Sequence, residues 1–391
     1  MKKLMILLLA VAMLFAFAAC GSENAPDNNN GTVEEDGETA GLTPETIKVG
    51  HVHINDEAEQ GYSTAHINGV VNACEALGIP AENVIGKYNV AEDSSCETAC
   101  RELAEAGCNI IFCDSFAFED WMLEVAKDYP EIYFCHATGY QCADSGLDNV
   151  SNYFGNVFDA RYLSGIVAGM TTSSNKLGYV TAMQLPECIS GFTAFYLGAL
   201  SVNPDVTMDV MYTNSWYDPT LENQAAQALI DRGCDVLGQH ADSTTTQTTA
   251  EAAGVYSVGY NLDMSDAAPN ANLCSVVWDW TPVYQYFIQQ QLDGVAFADI
   301  PSDYSGTLAD GMVDIVYNED LLATFDNADE IKEAVEAART AINAGELHVF
   351  SGPLTDVDGN VVVEEGDYYN ESGEASAPSW NYIIEGITVV E

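Results

Sequence analysis

From residue 46 onward the sequence alternates between short apolar runs and longer segments with apolar residues at helical spacing, and this alternation restricts the possible folds. The runs TIKVGHVHI, NIIFCD and EIYFCHAT have the length and apolar content of buried strands. The segments YSTAHINGVVNACEALG and FEDWMLEVAKDYP lie between them and have the spacing of helices that end at glycine or proline. A repeated order of strand and helix predicts an α/β fold, with parallel strands and helices on both faces of the sheet.

A second series of the same kind begins near Phe158 and predicts a second lobe. Its strands are KLGYVTAM, VTMDVMYT, CDVLGQH and VYSVGYN, with helical segments between them. We therefore expect two doubly wound, Rossmann-like lobes joined by a hinge. We assign residues 46–157 and 264–303 to lobe 1, and residues 158–263 and 304–391 to lobe 2 with the C-terminal segment. The closing run NYIIEGITVVE predicts an edge strand.

The first twenty residues have the features of an export signal. A basic dipeptide precedes an apolar run that ends at Ala19, directly before Cys20. The segment FAFAAC resembles a bacterial lipobox, which implies a lipoprotein signal peptide in residues 1–20 and a lipid anchor on Cys20. An uncleaved membrane anchor is the alternative, and in both cases we expect the protein at the extracytoplasmic face of the cell membrane. Residues 21–45 are polar and lack apolar periodicity, which predicts a flexible tether.

Acidic residues far outnumber basic residues in this chain. There are 60 Asp and Glu against 11 Lys and Arg, which gives a formal net charge of −49. Such a charge makes nucleic acids and anionic lipid surfaces poor partners, and it is typical of a well-solvated surface. Beyond the N-terminal dipeptide, the basic residues lie in or beside predicted helices and strands. Because anionic ligands usually bind Arg or Lys, we expect a neutral or cationic ligand.

Ten cysteines follow Cys20, and none of them forms a CxxC pair. Several lie in or beside apolar strands, where cysteine usually acts as a small core residue. Cys96 and Cys100 are four residues apart on a predicted helix, so their side chains could touch. Core packing is favoured there, and a disulfide or a metal pair remains an open alternative.

Ligands of open parallel sheets bind at the carboxyl ends of the strands, where this chain carries aromatic, carboxylate and amide side chains. Trp216 lies in such a loop, TNSWYDP, before a predicted helix with Asp218 as N-cap and Pro219 as first residue. Aromatic faces bind flat rings or cations, and carboxylates and amides pair with polar edges. The candidate ligand-binding residues at these ends are Tyr62, Ser63, Ser115, Phe116, Glu187, Trp216, Asp242, Asn261, Asp263 and Trp278.

Some of these candidates have a second interpretation. Strands also end in core aromatics, so Phe116 and Trp278 could equally be packing residues. Asp242 and Asp263 could serve as helix caps, which is a common role for Asp.

The chain lacks the sequence signatures of common enzymes. It has neither a phosphate-binding loop of the GxxxxGKS kind nor a nucleophile elbow, so we expect a protein without catalytic activity. His51 and His53 point to one face of a predicted strand, a spacing that metals can use. On an apolar strand this spacing is more typical of packing, and we expect neither a metal nor a cofactor.

Six segments of the chain carry a family resemblance, and they are SFAFEDWMLEVAKDYP, NVFDARYLSGIVAGM, NKLGYVTA, SVNPDV, TNSWYDP and AAGVYSVGYNLDM. Together they resemble the basic membrane protein (BMP) family, which includes purine nucleoside receptors. The resemblance implies a type I periplasmic-binding-protein fold with three crossings between the lobes and a ligand in the interlobe cleft. It further implies a monomeric substrate-binding lipoprotein of an ABC importer, which captures a purine base or nucleoside for a permease and its ATPase subunits.

The resemblance also implies roles for individual residues. In the related branch a Gly-Trp pair usually stands at Gly61 and Tyr62, so Tyr62 would take the place of the tryptophan and stack on the base. Phe116 would supply a second apolar face. The residues that would close from the other lobe are Glu187, Trp216, Asp242, Asn261 and Asp263. Ser63 and Trp278 replace an Asn and a Lys of the nucleoside receptors, so a bare purine fits as well as a nucleoside. A cationic nutrient such as thiamine or choline, and a surface sensor that is not coupled to import, are the alternatives.

Overall fold

The computed structural model of the protein describes residues 41–373 and 375–390. The expected signal peptide, the lipid-anchor residue Cys20 and most of the expected tether lie outside the described residues. Within the part that the structure describes, no helix combines the length and the apolar character needed to cross a membrane.

The described chain alternates strands and helices almost throughout. The strands are β1 Val49–Val52, β2 Val84–Lys87, β3 Ile110–Cys113, β4 Tyr133–Ala137, β5 Val150–Gly155, β6 Lys176–Thr181, β7 Thr207–Tyr212, β8 Val236–His240, β9 Tyr256–Asn261, β10 Asn272–Trp278, β11 Asp303–Gly306, β12 Val313–Tyr317, β13 Leu354–Thr355, β14 Val361–Val363 and β15 Ile387–Val390. The helices are α1 Tyr62–Ala76, α2 Ser94–Glu105, α3 Glu119–Asp128, α4 Val157–Thr171, α5 Pro186–Val202, α6 Pro219–Asp231, α7 Thr245–Ala253, α8 Thr281–Leu292, α9 Glu319–Leu322 and α10 Ala328–Asn343.

Lobe 1 is built on a parallel sheet with the strand order β11-β5-β4-β3-β1-β2. Every residue of β1, β3, β4 and β5 is buried, because helices cover both faces of the sheet. The predicted α/β fold with parallel strands is therefore confirmed for this lobe.

Lobe 2 is built on a seven-stranded sheet with the order β12-β10-β9-β8-β6-β7-β15. All neighbouring strands run parallel except β12, which pairs antiparallel with β10. The C-terminal strand β15 forms one edge of the sheet, as predicted from the sequence. The expected helix start after the TNSWYDP loop is also confirmed, since the Asp218 carboxylate accepts from the backbone N–H groups of Thr220 and Leu221.

The boundary between the lobes differs from the expectation around residues 264–303. We expected β10 in lobe 1 and residues from 304 onward in lobe 2, but β10 pairs with β9 of lobe 2 and β11 pairs with β5 of lobe 1. Strand partners depend on hydrogen bonds between distant segments, which local apolar periodicity does not specify. The helix between these strands, α8, packs on α1 in lobe 1 as expected.

The chain crosses between the lobes three times: after β5, after β10 and after β11. At the second crossing the rings of Trp278 and Trp280 stack with centroids 4.3 Å apart, and Trp280 stacks in turn on His66 of α1 at 3.9 Å. This stack of three rings therefore joins the last residue of a lobe 2 strand to a lobe 1 helix. Three crossings place the carboxyl ends of both parallel sheets on facing sides of one cleft.

Candidate functional site

A cavity lies between the lobes at the carboxyl ends of their strands. It encloses about 330 Å³ of space between the protein atoms, part of it open to solvent. Lobe 1 contributes Ile54, Tyr62, Asp114, Ser115, Phe116 and Thr138 to its wall, and lobe 2 contributes Glu187, Trp216, His240, Asp242 and Tyr260. A wider mouth adjoins this cavity beyond Phe116, Thr138 and Glu187 and is bordered by Tyr140, Leu185 and the C-terminal segment around Tyr369.

Six of the ten candidate ligand-binding residues predicted from the sequence line this cavity. They are Tyr62, Ser115, Phe116, Glu187, Trp216 and Asp242. Each follows the end of a strand or begins the next helix, which is why strand-end position predicts them. The other four, Ser63, Asn261, Asp263 and Trp278, are not part of the cavity wall.

Two of these four residues are buried and directly follow a wall residue in the sequence. Ser63 is buried at the start of α1, where its backbone N–H donates to Glu59 and its hydroxyl accepts from the backbone N–H of Asn55. Asn261 is fully buried, and its side-chain amide donates to Asp242 Oδ1 at 3.0 Å. Asn261 thus orients a residue that lines the cavity, whereas Ser63 binds Glu59 and Asn55, which are not part of the wall.

The remaining two residues have structural roles outside the wall. Asp263 is exposed and accepts from the backbone N–H of Ser265 at 2.9 Å, which is the turn-forming role that Asp has in loops. Trp278 is buried in the ring stack at the second crossing, and its indole N–H donates to Tyr260 at 3.2 Å. The alternative of core packing therefore describes Trp278, whereas Asp263 stabilises a turn and not the expected helix start.

Aromatic side chains reach the cavity from both lobes. Phe116 and Trp216 are half-buried and come from opposite lobes, while Tyr62 and Tyr260 are buried. The Trp216 loop is fixed by its neighbours, because the Trp216 carbonyl accepts from the backbone N–H of Asp242 at 2.9 Å. Apolar ring faces on two sides suit a flat ligand.

Three carboxylates in the wall are each held by a hydrogen bond to a single oxygen. Asp114 Oδ2 is 2.6 Å from His53 Nδ1, and Glu187 Oε1 is 3.2 Å from His240 Nε2. Asp242 Oδ1 accepts from Asn261, as described above. The second oxygen of each carboxylate makes no hydrogen bond to any residue that the structure describes, so three acceptor positions remain for a ligand.

Burial raises the pKa of carboxyl groups in and beside this cavity. It raises the pKa of Asp114 and of Asp242 well above the usual range, and it raises the pKa of the nearby Glu59 to about 7. Neither Lys nor Arg belongs to the described cavity wall. Behind Tyr260, Arg161 is fully buried, with its guanidinium 3.6 Å from the ring centroid and one N–H donating to the Gln239 carbonyl. The cavity therefore offers acceptors rather than cations.

Five wall residues were absent from the sequence candidates: Ile54, Asp114, Thr138, His240 and Tyr260. Asp114 directly follows β3 and His240 ends β8, so strand-end position alone could have identified them. Thr138 has a left-handed backbone with φ of 65°, an unusual conformation for a β-branched residue, and sequence gives no sign of it. Tyr260 lies inside a strand, where its position resembles that of any core aromatic.

A group of cysteines lies in lobe 1, away from the cavity wall. The sulfurs of Cys96, Cys100 and Cys113 all lie within 4.8 Å of one another, and those of Cys100 and Cys113 are 3.5 Å apart. All ten cysteines of the described chain are free and buried, as expected for small core residues. The three sulfurs have the spacing of a soft-metal site, while α2 and β3 pack them among apolar side chains.

The comparisons with known proteins agree with this architecture. Residues 48–347 match the Bmp family model, described as ABC transporter substrate-binding protein, PnrA-like. A purine-binding protein of Brucella abortus is 33% identical over 344 residues, covering 88% of this chain and 93% of that protein. A Haloferax volcanii protein whose name proposes glucose binding in an ABC transporter is also 33% identical, over 86% of this chain and 82% of its own length.

Solved structures show the same fold at lower identity. An ABC transporter solute-binding protein from Aeropyrum pernix has a TM-score of 0.65 and 18% identity, covering 80% of this chain and 95% of that chain. This similarity concerns the fold alone. The family match spans most of the described residues, and the family consists of extracytoplasmic solute-binding proteins rather than enzymes. The chain belongs to the Bmp family of PnrA-like substrate-binding proteins of ABC transporters.

Proposed function

We propose that this protein is a lipid-anchored receptor of an ABC importer that captures a purine base or nucleoside in the interlobe cavity and delivers it to a permease. The observation that carries this proposal is the composition of the cavity wall. Aromatic rings reach it from both lobes, three carboxylates each keep one oxygen for a ligand, and no basic side chain is part of the described wall.

The aromatic residues suit the purine ring system. Phe116 of lobe 1 and Trp216 of lobe 2 would cover the ring from two sides, and Tyr62 would add a further apolar wall. Stacking of a base on an aromatic side chain contributes about 1–3 kcal/mol and tolerates different substituents. The purine-binding relative from Brucella abortus supports this ligand class.

The carboxylates suit the donors of a neutral purine. Purine N–H and amino groups, and the hydroxyls of a ribose, all donate to carboxylate oxygens. We assign Asp242, Glu187 and Ser115 to such contacts, because all three line the cavity. Since carboxylates accept from both N–H and O–H groups, this set accommodates a base as well as a nucleoside.

Capture would involve closure of the lobes. Gly61 of lobe 1 lies directly against the Asp242 backbone of lobe 2, so the described conformation already brings the two lobes together at the cavity. In such receptors a ligand that contacts both lobes favours the closed form, and the closed form is the one that a permease would recognise.

A cationic nutrient such as thiamine or choline is the second candidate. The same observation favours it, because aromatic faces and carboxylates together form a cage for a cation. A sugar is a third possibility, given the name of the Haloferax volcanii relative.

The deciding experiment identifies the ligand directly. The full-length protein is purified without added ligand and denatured, and the released small molecules are identified by mass spectrometry. The refolded protein is then titrated with adenine, hypoxanthine, inosine, adenosine, thiamine and glucose by calorimetry. A bound purine or nucleoside supports the proposal, and selective binding of thiamine or glucose would replace it with the corresponding alternative.

The lipid anchor needs its own test. In cells that express the wild-type chain, we expect the protein in the membrane fraction. A Cys20→Ala variant should lose the lipid and fail to be processed as a lipoprotein, whereas a Ser22→Ala control should behave as the wild type. Equal lipid labelling of both variants would contradict the anchor at Cys20.

A further inference from the structure

A chain of two imidazoles and one carboxylate runs from the interior of lobe 1 to the cavity. His51 Nδ1 lies 2.5 Å from His53 Nε2, and His53 Nδ1 lies 2.6 Å from Asp114 Oδ2. All three residues are at least 98% buried, and Asp114 Oδ1 is buried at the cavity wall without a hydrogen-bond partner. An unpartnered carboxylate oxygen inside a protein is costly, so a ligand donor in the cavity would stabilise it.

We propose that Asp114 is a ligand-recognition residue that accepts a hydrogen bond from an N–H group of the ligand, and that the His51–His53 pair couples this contact to the release of a proton. The inference rests on the proposed function, which it deepens by naming the polar edge that the purine presents to lobe 1. It applies to this carboxylate and not to Glu187 or Asp242, whose partners are a single His and an Asn.

The chain of hydrogen bonds has two consistent arrangements of protons. With a proton on Asp114, the carboxyl donates to His53 Nδ1, His53 Nε2–H donates to His51 Nδ1, and His51 carries its proton on Nε2. With Asp114 ionised, His51 Nδ1–H donates to His53 Nε2, and His53 Nδ1–H donates to Asp114. Each group passes one proton to the next, the Nε2 proton of His51 goes to solvent, and both imidazoles are neutral before and after.

The environment favours the protonated arrangement while the cavity is empty. Burial lowers the pKa of His53 to about 3 and raises the pKa of Asp114 well above its usual range, so the buried pair favours its neutral form. A ligand N–H that donates to Asp114 Oδ1 stabilises the carboxylate instead. Binding of such a ligand therefore favours ionisation of Asp114, and its affinity falls as the pH drops through the raised pKa.

At the end away from the cavity, the hydrogen-bonded histidines pack against Tyr88. The Tyr88 ring stacks on His53 at 5.7 Å and meets His51 edge-on at 5.8 Å, and Tyr88 itself is 44% exposed. Gly86 makes this packing possible, because a β-carbon there would overlap the Tyr88 ring and crowd His51. The histidine pair thus lies between Asp114 at the cavity and the half-exposed Tyr88 side chain.

Other titratable groups lie near Asp114, and a test must distinguish their protons from the proton of Asp114. They are Glu59 and Tyr62 around the start of α1, Glu92 and Cys96 at the start of α2, His136 on β4 and Tyr284 on α8. Burial raises the pKa of Tyr62 and Tyr284 well above their usual range, so both hydroxyls keep their protons. Glu59, with a pKa of about 7, is the main competing source of a proton.

The test measures the number of protons released on binding. The full-length protein is titrated with hypoxanthine and inosine by calorimetry in two buffers that differ in ionisation enthalpy, across roughly pH 5 to 9. We expect the wild type to release up to about one proton per ligand and to bind more weakly at low pH. We expect Asp114→Asn to lose this release and to bind about tenfold more weakly or worse, while Asp144→Asn, on the exposed surface of lobe 1, behaves as the wild type.

The role of the histidines has a separate readout. His53→Phe keeps a flat ring but removes the donor to Asp114, so ionisation becomes harder and the fall in affinity should move to higher pH. His51→Phe serves as a second variant if His53→Phe does not fold, and His348→Phe is the control outside the chain of hydrogen bonds. An unshifted pH profile in a folded variant would remove the two histidines from the proposal.

The outcomes distinguish this inference from the proposed function. If the wild type binds neither purine nor nucleoside, the proposed function fails, and the inference that depends on it fails as well. If the wild type binds a purine but Asp114→Asn binds it equally well and releases the same number of protons, the proposed function stands. In that case the proton comes from Glu59 or Asp242, and the assignment of Asp114 is overturned.

Discussion

Gly61 of lobe 1 packs directly against the backbone carbonyl of Asp242 in lobe 2, so closely that a β-carbon on Gly61 would overlap the carbonyl oxygen. This contact is sufficient by itself to require glycine at position 61. This single position therefore limits how closely the lobes approach each other at the cavity.

A Gly61→Ala substitution should hold the lobes apart. Because a ligand that bridges both lobes needs their close approach, we expect affinity to fall by about tenfold or more, as for other losses of a ligand-competent state. Titration calorimetry would measure the affinity, and small-angle X-ray scattering with saturating ligand would show a larger radius of gyration. Gly41→Ala is the matched control, since a β-carbon at Gly41 meets no other atom. Unchanged affinity in Gly61→Ala would mean that ligand binding does not require this contact.

Trp216 should contribute a large part of the ligand affinity. Its half-buried ring lines the cavity from lobe 2, and loss of a stacking surface for a base costs about 1–3 kcal/mol. Trp216→Ala should therefore weaken binding by roughly tenfold or more while leaving the melting temperature nearly unchanged. Trp121→Ala, a similarly half-buried indole on α3 outside this cavity, is the control. Equal affinities for the two variants would exclude Trp216 from the ligand site.

The ligand-free protein should lose stability as the pH rises toward neutrality. Burial raises the pKa of Glu59 and of Asp159 to about 7, so the folded chain binds more protons than the unfolded chain above their ordinary pKa values. Because the folded chain binds the extra protons, the free energy of unfolding decreases as the pH rises, by roughly 1–3 kcal/mol per group. This decrease in stability is complete above about pH 7.

Urea unfolding between about pH 4.5 and 8 would measure this effect. Glu59→Gln and Asp159→Asn should each flatten the decline, whereas Glu82→Gln, on an exposed turn, should leave it unchanged. A free energy of unfolding that rises over this interval in the wild type would contradict the prediction.

The thiols should be unreactive in the folded protein. All ten cysteines of the described chain are buried and free, and burial raises the pKa of Cys108 to about 11 and of Cys74 to about 12. Because the thiolate is the reactive form, a chromogenic disulfide reagent should modify these thiols only as fast as the protein unfolds. All ten should then react in denaturant without prior reduction. A missing pair would reveal a disulfide, with Cys100 and Cys113 as the nearest candidates.

Much of the architecture follows from local sequence, because a buried parallel strand must be apolar on both faces and its helices must carry apolar stripes. The capped helix start at Asp218 also follows from adjacent residues alone. The position of Trp216 in a loop, beside such a cap, was enough to predict a cavity residue.

Contacts between residues that are far apart in the sequence could not be predicted from local patterns. Asp114 meets His53 across 61 positions of the chain, and no local pattern connects them. Trp278 lies at a strand end and Trp216 follows one, but the pairing of β10 places Trp278 in a ring stack instead of the cavity. Strand order decides which side chains meet, and it depends on hydrogen bonds between segments far apart in sequence.

The stack of Trp278, Trp280 and His66 at the second crossing has a practical consequence. Because Trp278 belongs to a lobe 2 strand and His66 to a lobe 1 helix, rotation of one lobe against the other must slide these rings over one another. Excited states of two indoles in van der Waals contact depend steeply on their separation and overlap. We therefore expect the near-ultraviolet circular dichroism and fluorescence of this stack to change with the hinge angle, without any added label.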